Sequence, residues 1–389
     1  MRTLFLKYRY ELAVLLLWAV AVASKLKFNG LILGFDYGTY QPDGKFYTYM
    51  ALDFLNNNPA LSAQQVVDWY AVHGFKMNTF KIEDLMPSTS YAYPYISHRI
   101  LYPLLSVPFV AIFGIPGMLA IPSISLLFLL VSILWIAKKF NKSIVGLGIV
   151  VVLLNSSTVL RWMIVNCTDS LLVGLFAFVP LLILRLIEKK REAVFLLAGL
   201  VVLTSATRFI LPIWLGVFFV LFFRKGIRKQ TLTLLTTSIL CAIPALEAQL
   251  STALLPAEID TPTYLKLIQL PLVFIKIIVV DFLQFGVLDR PLLMVLAFCL
   301  IQAIRIRHQL SAQMFLAVFA SGYLIGAING TLGVNFRYEM PVLIFCGWLI
   351  VDSFEYNQKR LGLVSSVAGN IIVNETQEQL KTGDTKYRN

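Results

Sequence analysis

Long apolar runs recur along the whole chain and restrict its fold more than any other feature. Each run approaches the roughly 20 residues that an α-helix needs to cross a bilayer. The runs are Leu12–Ala23, Met118–Ala137, Leu171–Leu184, Val194–Leu203, Phe209–Phe223, Leu232–Ala245, Met314–Ile328 and Pro341–Val351. Ten-residue segments of alternating polarity, which are typical of outer-membrane barrels, are absent. The sequence therefore predicts an all-α, polytopic transmembrane helical bundle.

Basic residues are confined to short blocks between these runs, although the net charge is +12. Examples are Lys138–Lys142, Arg185–Arg191 and Arg224–Lys229. Lysine and arginine concentrate in this way in the cytoplasmic loops of membrane proteins. We therefore expect membrane lipid and no nucleic acid as a partner. We also expect both termini in the cytoplasm and a multi-pass location, with the bacterial inner (plasma) membrane as the predicted compartment.

The order of basic blocks and apolar runs predicts about ten crossings plus two partial segments. Residues 1–365 form one transmembrane domain, with a large outer loop at about 34–98 that carries interfacial helices. The cytoplasmic block Lys138–Lys142 requires an odd number of crossings after the outer loop. Of the two apolar stretches in between, Ile100–Gly114 is therefore predicted to be an interfacial or re-entrant segment, and the second stretch is the true span. The same argument makes Leu265–Leu288 a partial segment and Pro291–Ile304 the crossing. The polar tail 366–389 is predicted to be cytoplasmic and disordered.

Ionisable residues stand at the ends of the apolar runs, on the face predicted to be extracytoplasmic. They are Asp36, Asp43, Asp169, Arg99, Arg161, Arg208 and Arg337. A charge at that depth costs free energy unless it is paired or solvated, so a functional role is the default interpretation. Arginines at helix ends that extend to the interface are the structural alternative. The planar guanidinium suits phosphate and pyrophosphate, which predicts an anionic ligand.

Pro42-Asp43-Gly44 predicts a turn that opens a helix, and Asn56-Asn57-Asn58-Pro59 predicts its end. The apolar side chains of this helix predict that it lies along the membrane surface. Asp43 is then either a plain N-cap or a general base held just outside the bilayer, and the two roles are compatible. The four cysteines and three histidines have no zinc-ligand spacing.

Two segments together resemble the signature of the GT-C membrane glycosyltransferases. Pro42–Ala51 (PDGKFYTYMA) is similar to the family's aspartate followed by FYxxxA, and Ser97–Leu105 (SHRILYPLL) is similar to its R-x-LYPLL element. Thr168-Asp169, Thr207-Arg208 and Arg337-Tyr338 occur in a consistent order further along the chain. The convincing part of the resemblance spans Asp36–Leu105.

The resemblance implies an inverting, mannosyltransferase-like enzyme that acts on the extracytoplasmic face. Its donor is a sugar linked to polyprenyl phosphate, and its acceptor is a glycan or glycolipid. Asp43 is the implied catalytic base, with Asp36 as alternative or partner. The implied substrate-binding residues are Arg99, His98, Tyr47, Tyr102, Asp169, Arg208, Arg337 and Tyr338. The adjacent Asp-x-Asp or Trp-Asp pair of several GT-C branches is absent, which leaves a divalent cation (Mg²⁺ or Mn²⁺) open.

Three alternatives stay open at this stage. A transporter or flippase for lipid-linked or anionic substrates also uses charged residues inside a helical bundle, and Glu247, Lys276 and Asp281 are the candidates near mid-span. An O-antigen polymerase or ligase also acts on polyprenyl-linked sugars, although its large outer loop typically comes late in the chain. A non-catalytic membrane scaffold is the third.

Overall fold

The computed structural model describes residues 2–28, 43–72, 81–90, 93–208, 210–224, 226–253, 263–328 and 336–358. The prediction of an all-α chain is confirmed within these ranges, where helices dominate and no β-strand occurs. Asp36 and the tail 366–389 lie outside the described residues, so the predictions made for them stay predictions.

The helices follow one another through short connections. They are α1 Arg2–Phe28, α2 Gly44–Asn56, α3 Pro59–Val72, α4 Tyr93–Ser97, α5 Leu101–Phe113, α6 Ala120–Lys139, α7 Ser143–Leu154, α8 Ser157–Met163, α9 Thr168–Phe176, α10 Val179–Ile187, α11 Glu192–Ser205, α12 Leu211–Phe222, α13 Arg228–Ala253, α14 Thr263–Leu288, α15 Arg290–Arg305, α16 Leu310–Ile328 and α17 342–358. Short 3₁₀ turns occur at Ile82–Asp84 and Ile115–Leu119.

Four helical segments in the described part are long and apolar enough to cross a membrane. They are Ile115–Lys139, Thr168–Ile187, Gln269–Leu288 and Leu310–Ala327. Helices α7 and α8, which meet at 82°, make a fifth if the bent pair is one span. The segment Gln269–Leu288 directs apolar side chains away from the protein: Leu272 is 72% exposed and Val287 is 78% exposed. Such a surface suits lipid rather than water.

The prediction of which segment between residues 265 and 304 is long enough to cross the membrane was wrong. The sequence interpretation made Leu265–Leu288 the partial segment and Pro291–Ile304 the crossing. Instead α14 is a helix of 26 residues that continues through Pro271, and it contains the candidate span. Helix α15 has 16 residues and falls short of the length of a typical span. Proline bends a helix without ending it when neighbouring helices support the segment.

The basic residues at the end of α6 define one end of the helical bundle. Lys138 pairs with Glu11 of α1 at 2.5 Å, and Lys142 contacts Gln358 at the end of α17. We call this the basic end. Since α6 has 20 residues, its other end lies about 30 Å away at 1.5 Å per residue.

Helix α2 begins and ends where its sequence predicts, but its environment differs from the prediction. It begins at Gly44, and Asn57 ends it in the left-handed conformation at φ 49°. The prediction placed an apolar face on the membrane surface. Instead every residue from Phe46 to Leu52 is buried, because α2 packs between α3 and α5. The start of α2 is therefore held inside the protein, which fixes the position of Asp43.

Candidate active site

Arg337 joins two carboxylates that are far apart in the sequence. Its Nη2 donates to Asp43 Oδ2 at 3.1 Å, and its Nε donates to Asp169 Oδ2 at 2.7 Å. Asp43 precedes α2, Asp169 lies in the first turn of α9, and Arg337 precedes α17. Three separate parts of the chain thus meet at one guanidinium group.

The two carboxylates differ in how much of each is available to a ligand. Asp169 is 2% exposed, and its oxygens accept hydrogen bonds from Arg208, Arg337 and the Cys167 thiol. Asp43 is 34% exposed, and among the described residues only Oδ2 accepts a hydrogen bond. Asp169 is therefore an internal counter-ion, whereas Asp43 presents a carboxylate oxygen to the open side of the site.

Asp43 occupies the N-cap position of α2 without capping it. Its side chain makes no cap hydrogen bond, and its backbone is already in the right-handed helical region. The plain N-cap interpretation of this residue is therefore wrong, because the carboxylate is directed to Arg337 instead.

A second arginine lies beside this group through Tyr47 of α2. Arg99 Nη1 donates to the Tyr47 hydroxyl at 3.1 Å, and the same hydroxyl is 3.4 Å from Thr168 Oγ1. Tyr47 is fully buried, and its ring meets that of Tyr102 edge-on at 5.5 Å. This chain of contacts joins Arg99, which precedes α5, to the first turn of α9.

Aromatic rings support the other two guanidinium groups. Arg208 lies 4.1 Å from the ring centroid of Tyr338, and Arg337 lies 5.4 Å from that of Trp162. Both distances are within the range of cation–π attraction. The rings limit the positions that the arginine side chains can take, so the cations are held ready before any ligand binds.

Asn166 connects the elements that carry the two carboxylates. Its Nδ2 donates to the carbonyl oxygen of Gly44 at 3.2 Å and to Thr48 Oγ1 at 3.0 Å. The Tyr102 hydroxyl is 2.8 Å from Asn166 Oδ1 and 2.8 Å from the carbonyl oxygen of Met118. A Cβ at Gly44 would lie 2.8 Å from the backbone oxygen of Asn166. Only glycine therefore lets α2 start this close to the segment that precedes Asp169.

The site carries three guanidinium groups, of Arg99, Arg208 and Arg337, against the two carboxylates, a formal net charge of +1. Burial raises the pKa of Asp43, but Arg337 and Arg99 outweigh it and hold that pKa below its ordinary value. Burial, together with Arg337, lowers the pKa of Arg208 to about 10. Asp43 and the three guanidinium groups are therefore ionised at neutral pH, and the formal excess of positive charge favours an anionic ligand.

The site lies at the end of the bundle opposite the basic end. Asp169 begins the apolar segment Thr168–Ile187, which has 20 residues. The residue after that segment, Glu188, pairs with Lys139 at the basic end. About 30 Å of helix therefore separates the site from the basic end.

Seven of the predicted site residues thus lie in one connected group of contacts: Asp43, Tyr47, Arg99, Asp169, Arg208, Arg337 and Tyr338. Tyr102 is fully buried beneath this group, and His98 is half-buried next to Arg99 in the chain. Arg161, named with the outward cations, is exposed and packs over Trp162. Asp36 lies outside the described residues.

Sequence reasoning missed three residues of the site: Asn166, Cys167 and Trp162. The signal for Asn166 and Cys167 was their position directly before Thr168-Asp169, at the start of an apolar run. Buried polar residues before a span indicate that the backbone there is held by side chains rather than by helix hydrogen bonds. Nothing in the sequence pairs Trp162 with Arg337, which is far away in the chain.

The described residues include no group of three or more His, Cys, Asp and Glu side chains placed to hold a metal ion. The two carboxylates of the site are both bound to Arg337. A divalent cation at this site therefore stays a prediction, and none of the chemistry below is routed through one.

No protein-family model matches the chain, and neither a curated protein nor a solved structure matches it.

Proposed function

We propose that the chain is a polytopic membrane glycosyltransferase of the GT-C type. It moves a sugar from a polyprenyl-phosphate donor to a glycan or glycolipid acceptor on the extracytoplasmic face. The observation that carries this proposal is an accessible, ionised Asp43 that pairs with Arg337 and lies near the half-buried Arg99 and the buried Arg208, at the end of an apolar bundle. A base and a phosphate-binding surface are the two groups that displacement of a lipid phosphate requires.

The proposed reaction is a single displacement with inversion. The acceptor hydroxyl oxygen attacks the anomeric carbon of the donor, and the bond from that carbon to the phosphate oxygen breaks. The hydroxyl proton passes to Asp43, and the phosphate leaves with the bonding electron pair. Arg99, Arg208 and Arg337 stabilise the charge that develops on the phosphate. Asp169 is assigned no proton transfer because its oxygens are already bound to other groups.

The proposal includes an orientation in the membrane. The basic end faces the cytoplasm by the positive-inside rule, which puts the site about 30 Å away on the other face. It also includes the full topology of about ten crossings, in which the shorter apolar helices Glu192–Ser205 and Leu211–Phe222 and the apolar runs of α1, α13 and α17 add to the longer helices.

The direct test is sugar transfer by the purified protein in detergent. Radiolabelled sugars on polyprenyl phosphate, mannose among them, are offered with a panel of glycan acceptors, and release of lipid phosphate is followed in parallel. Nucleotide sugars are offered in a separate series. We expect the wild type to consume one lipid-linked donor and none of the nucleotide sugars.

Two variants separate the chemistry from folding. Asp43→Asn should abolish transfer, since the amide cannot accept the proton, while the melting temperature changes little. Asp68→Asn changes an exposed carboxylate on α3 of the same outer region and should keep full activity. If the wild type consumes no donor, the proposed function is refuted. If Asp43→Asn is fully active, the assignment of Asp43 as the base is refuted.

A further inference from the structure

A second pair of carboxyl groups is buried away from the proposed active site. Glu339 lies in the turn 336–341 and is 3% exposed, and Asp281 of α14 is 2% exposed. The charge of each acts on the other across the interface between α14, α16 and the turn. Neither forms a salt bridge with any residue in the described ranges.

Helix α16 is shaped to receive Glu339. A Cβ on Gly326 would lie 3.1 Å from Glu339 Oε1, and a Cβ on Gly322 would lie 3.1 Å from Glu339 Cα. These two glycines, one turn apart, form a notch that the Glu339 side chain fills. The carboxyl group is therefore inserted between helices rather than directed to water.

Asp281 completes the pair from the opposite side. Its carboxyl group faces the Tyr323 hydroxyl of α16 and the Phe336 backbone. Its Oδ2 atom has no hydrogen-bond partner among the described residues, although it is buried. A buried carboxylate oxygen without a partner has lost its water contacts without replacement, which favours an occupant at this position.

We propose that Asp281 and Glu339 retain one proton between them at neutral pH and so form a buried proton-binding site between α14, α16 and the turn 336–341. Two unneutralised carboxylates buried in this position would repel each other with little screening by water. One bound proton removes the repulsion and supplies a donor to an oxygen that otherwise lacks one.

The groups around Glu339 shift its pKa in opposite directions. Burial, reinforced by Asp281, raises the pKa of Glu339 to about 8, whereas Arg208 opposes the shift. Tyr323 contributes a hydroxyl and no charge in the neutral range. The proton is therefore bound across the neutral range and is lost in mildly alkaline solution.

The position of this site links its protonation to the arginine cluster. Glu339 is two residues from Arg337 and directly follows Tyr338, whose ring lies under Arg208. When the proton leaves, repulsion from Asp281 pushes on the same turn that orients both cations. The inference itself does not depend on the proposed transferase activity, because its test measures stability alone.

The test is the melting temperature of the detergent-solubilised full chain between pH 5 and pH 9. The folded state keeps a proton that an unfolded carboxyl, with an ordinary pKa of 4.5, has already lost. Stability therefore falls as the pH rises from about 4.5 to about 8, by up to about three thousandfold in the folding equilibrium. The double variant Asp281→Asn, Glu339→Gln fixes both positions neutral. We expect the melting temperature of the double variant to equal that of the wild type near pH 5 and to exceed it at pH 8.5.

The controls make each outcome decisive. Glu83→Gln removes an exposed glutamate and should leave the wild-type curve unchanged. The single variants, each of which keeps one carboxyl, should show a smaller fall than the wild type. Parallel curves for the wild type and the double variant would overturn the proposal. If EDTA lowers the melting temperature of the wild type at pH 7 and excess Ca²⁺ or Mg²⁺ restores it, the occupant is a metal cation and the proton assignment is wrong.

Discussion

Replacing Asp169 by asparagine should destabilise the protein far more than the same change at Asp43. Asp169 is 2% exposed and neutralises Arg208 and Arg337, whose side chains are 6% and 13% exposed. Asparagine keeps one acceptor oxygen but removes the charge, so two buried guanidinium groups lose their common counter-ion. Breaking a buried ion pair by removing one partner costs about 3–5 kcal/mol. For a chain of this length that corresponds to a fall in melting temperature of roughly 4–6 °C.

Asp43→Asn removes an ion pair that is one-third open to solvent. Exposure of 34% screens the attraction between Asp43 and Arg337, so we expect a loss of about 1 kcal/mol or less. The two substitutions therefore separate stability from activity: Asp43→Asn gives a folded, inactive protein, and Asp169→Asn gives an unstable one. Thermal unfolding in detergent, followed by tryptophan fluorescence, ranks the two variants against the wild type.

A double-mutant cycle tests the cause of the Asp169 effect. If the loss comes from unpaired charge, adding Arg208→Gln to Asp169→Asn should recover part of the stability, because one of the two unpaired cations is removed. Buried partners in direct contact typically show coupling of about 0.5–3 kcal/mol. Strictly additive losses, or equal melting temperatures for Asp169→Asn and Asp43→Asn, would show that Asp169 is not the buried counter-ion described above.

Three further predictions concern the site. Gly44→Ala should lower stability by about 1–3 kcal/mol and reduce transfer, because the new Cβ would meet a backbone oxygen at 2.8 Å. The control Gly199→Ala places its Cβ in open space and should change neither the melting temperature nor the activity. Tyr47→Phe should raise KM for the donor by about tenfold or more, because Arg99 loses its buried acceptor, and equal KM values would contradict that role. Because the pKa of Asp43 is held below its ordinary value, the carboxylate stays ionised between pH 5 and 7, and the ratio kcat/KM should show no Asp43-dependent acid limb in that range.

The two ends of α2 could be predicted from sequence because the signals for them are local. Asp43-Gly44 before an aromatic, small-residue segment and Asn56–Pro59 after it set the two ends of α2. The burial of α2 could not be predicted this way. It depends on α3 and α5 closing over both sides of the helix, and a pattern of side chains within one helix does not show which neighbours cover it.

The choice between the two carboxylates illustrates the same limit. The sequence placed Asp43 and Asp169 alike at the ends of apolar runs, and only the family resemblance made Asp43 the base and Asp169 a substrate-binding residue. Their difference arises from long-range contacts, because Arg208 and Arg337 both bind Asp169 while only one of them reaches Asp43. Hydrogen-bond partners that come from other helices leave no periodic trace in the chain.

The length error at α14 has a different origin. The parity of the crossings alone made Leu265–Leu288 the partial segment, and parity does not report the length of a helix. The structure buries Asp281 of this helix beside Tyr323 and Glu339, so the charge is accommodated inside the bundle. A charge within an apolar helix therefore does not by itself indicate where that helix ends.

The contacts of Arg337 determine when the site can first exist during synthesis. The ion pairs of Arg337 with Asp43 and Asp169 span 294 and 168 positions, whereas that between Arg208 and Asp169 spans 39. At about 5–20 residues per second, Arg208 follows Asp169 within about 2–8 s, but Arg337 follows only after about 8–34 s. During that interval Asp169 must enter the membrane region with a single partner. The nascent chain therefore holds Asp43 without its ion-pair partner until Arg337 is made, and a ribosome that stalls before Arg337 releases a bundle whose two carboxylates are not yet joined.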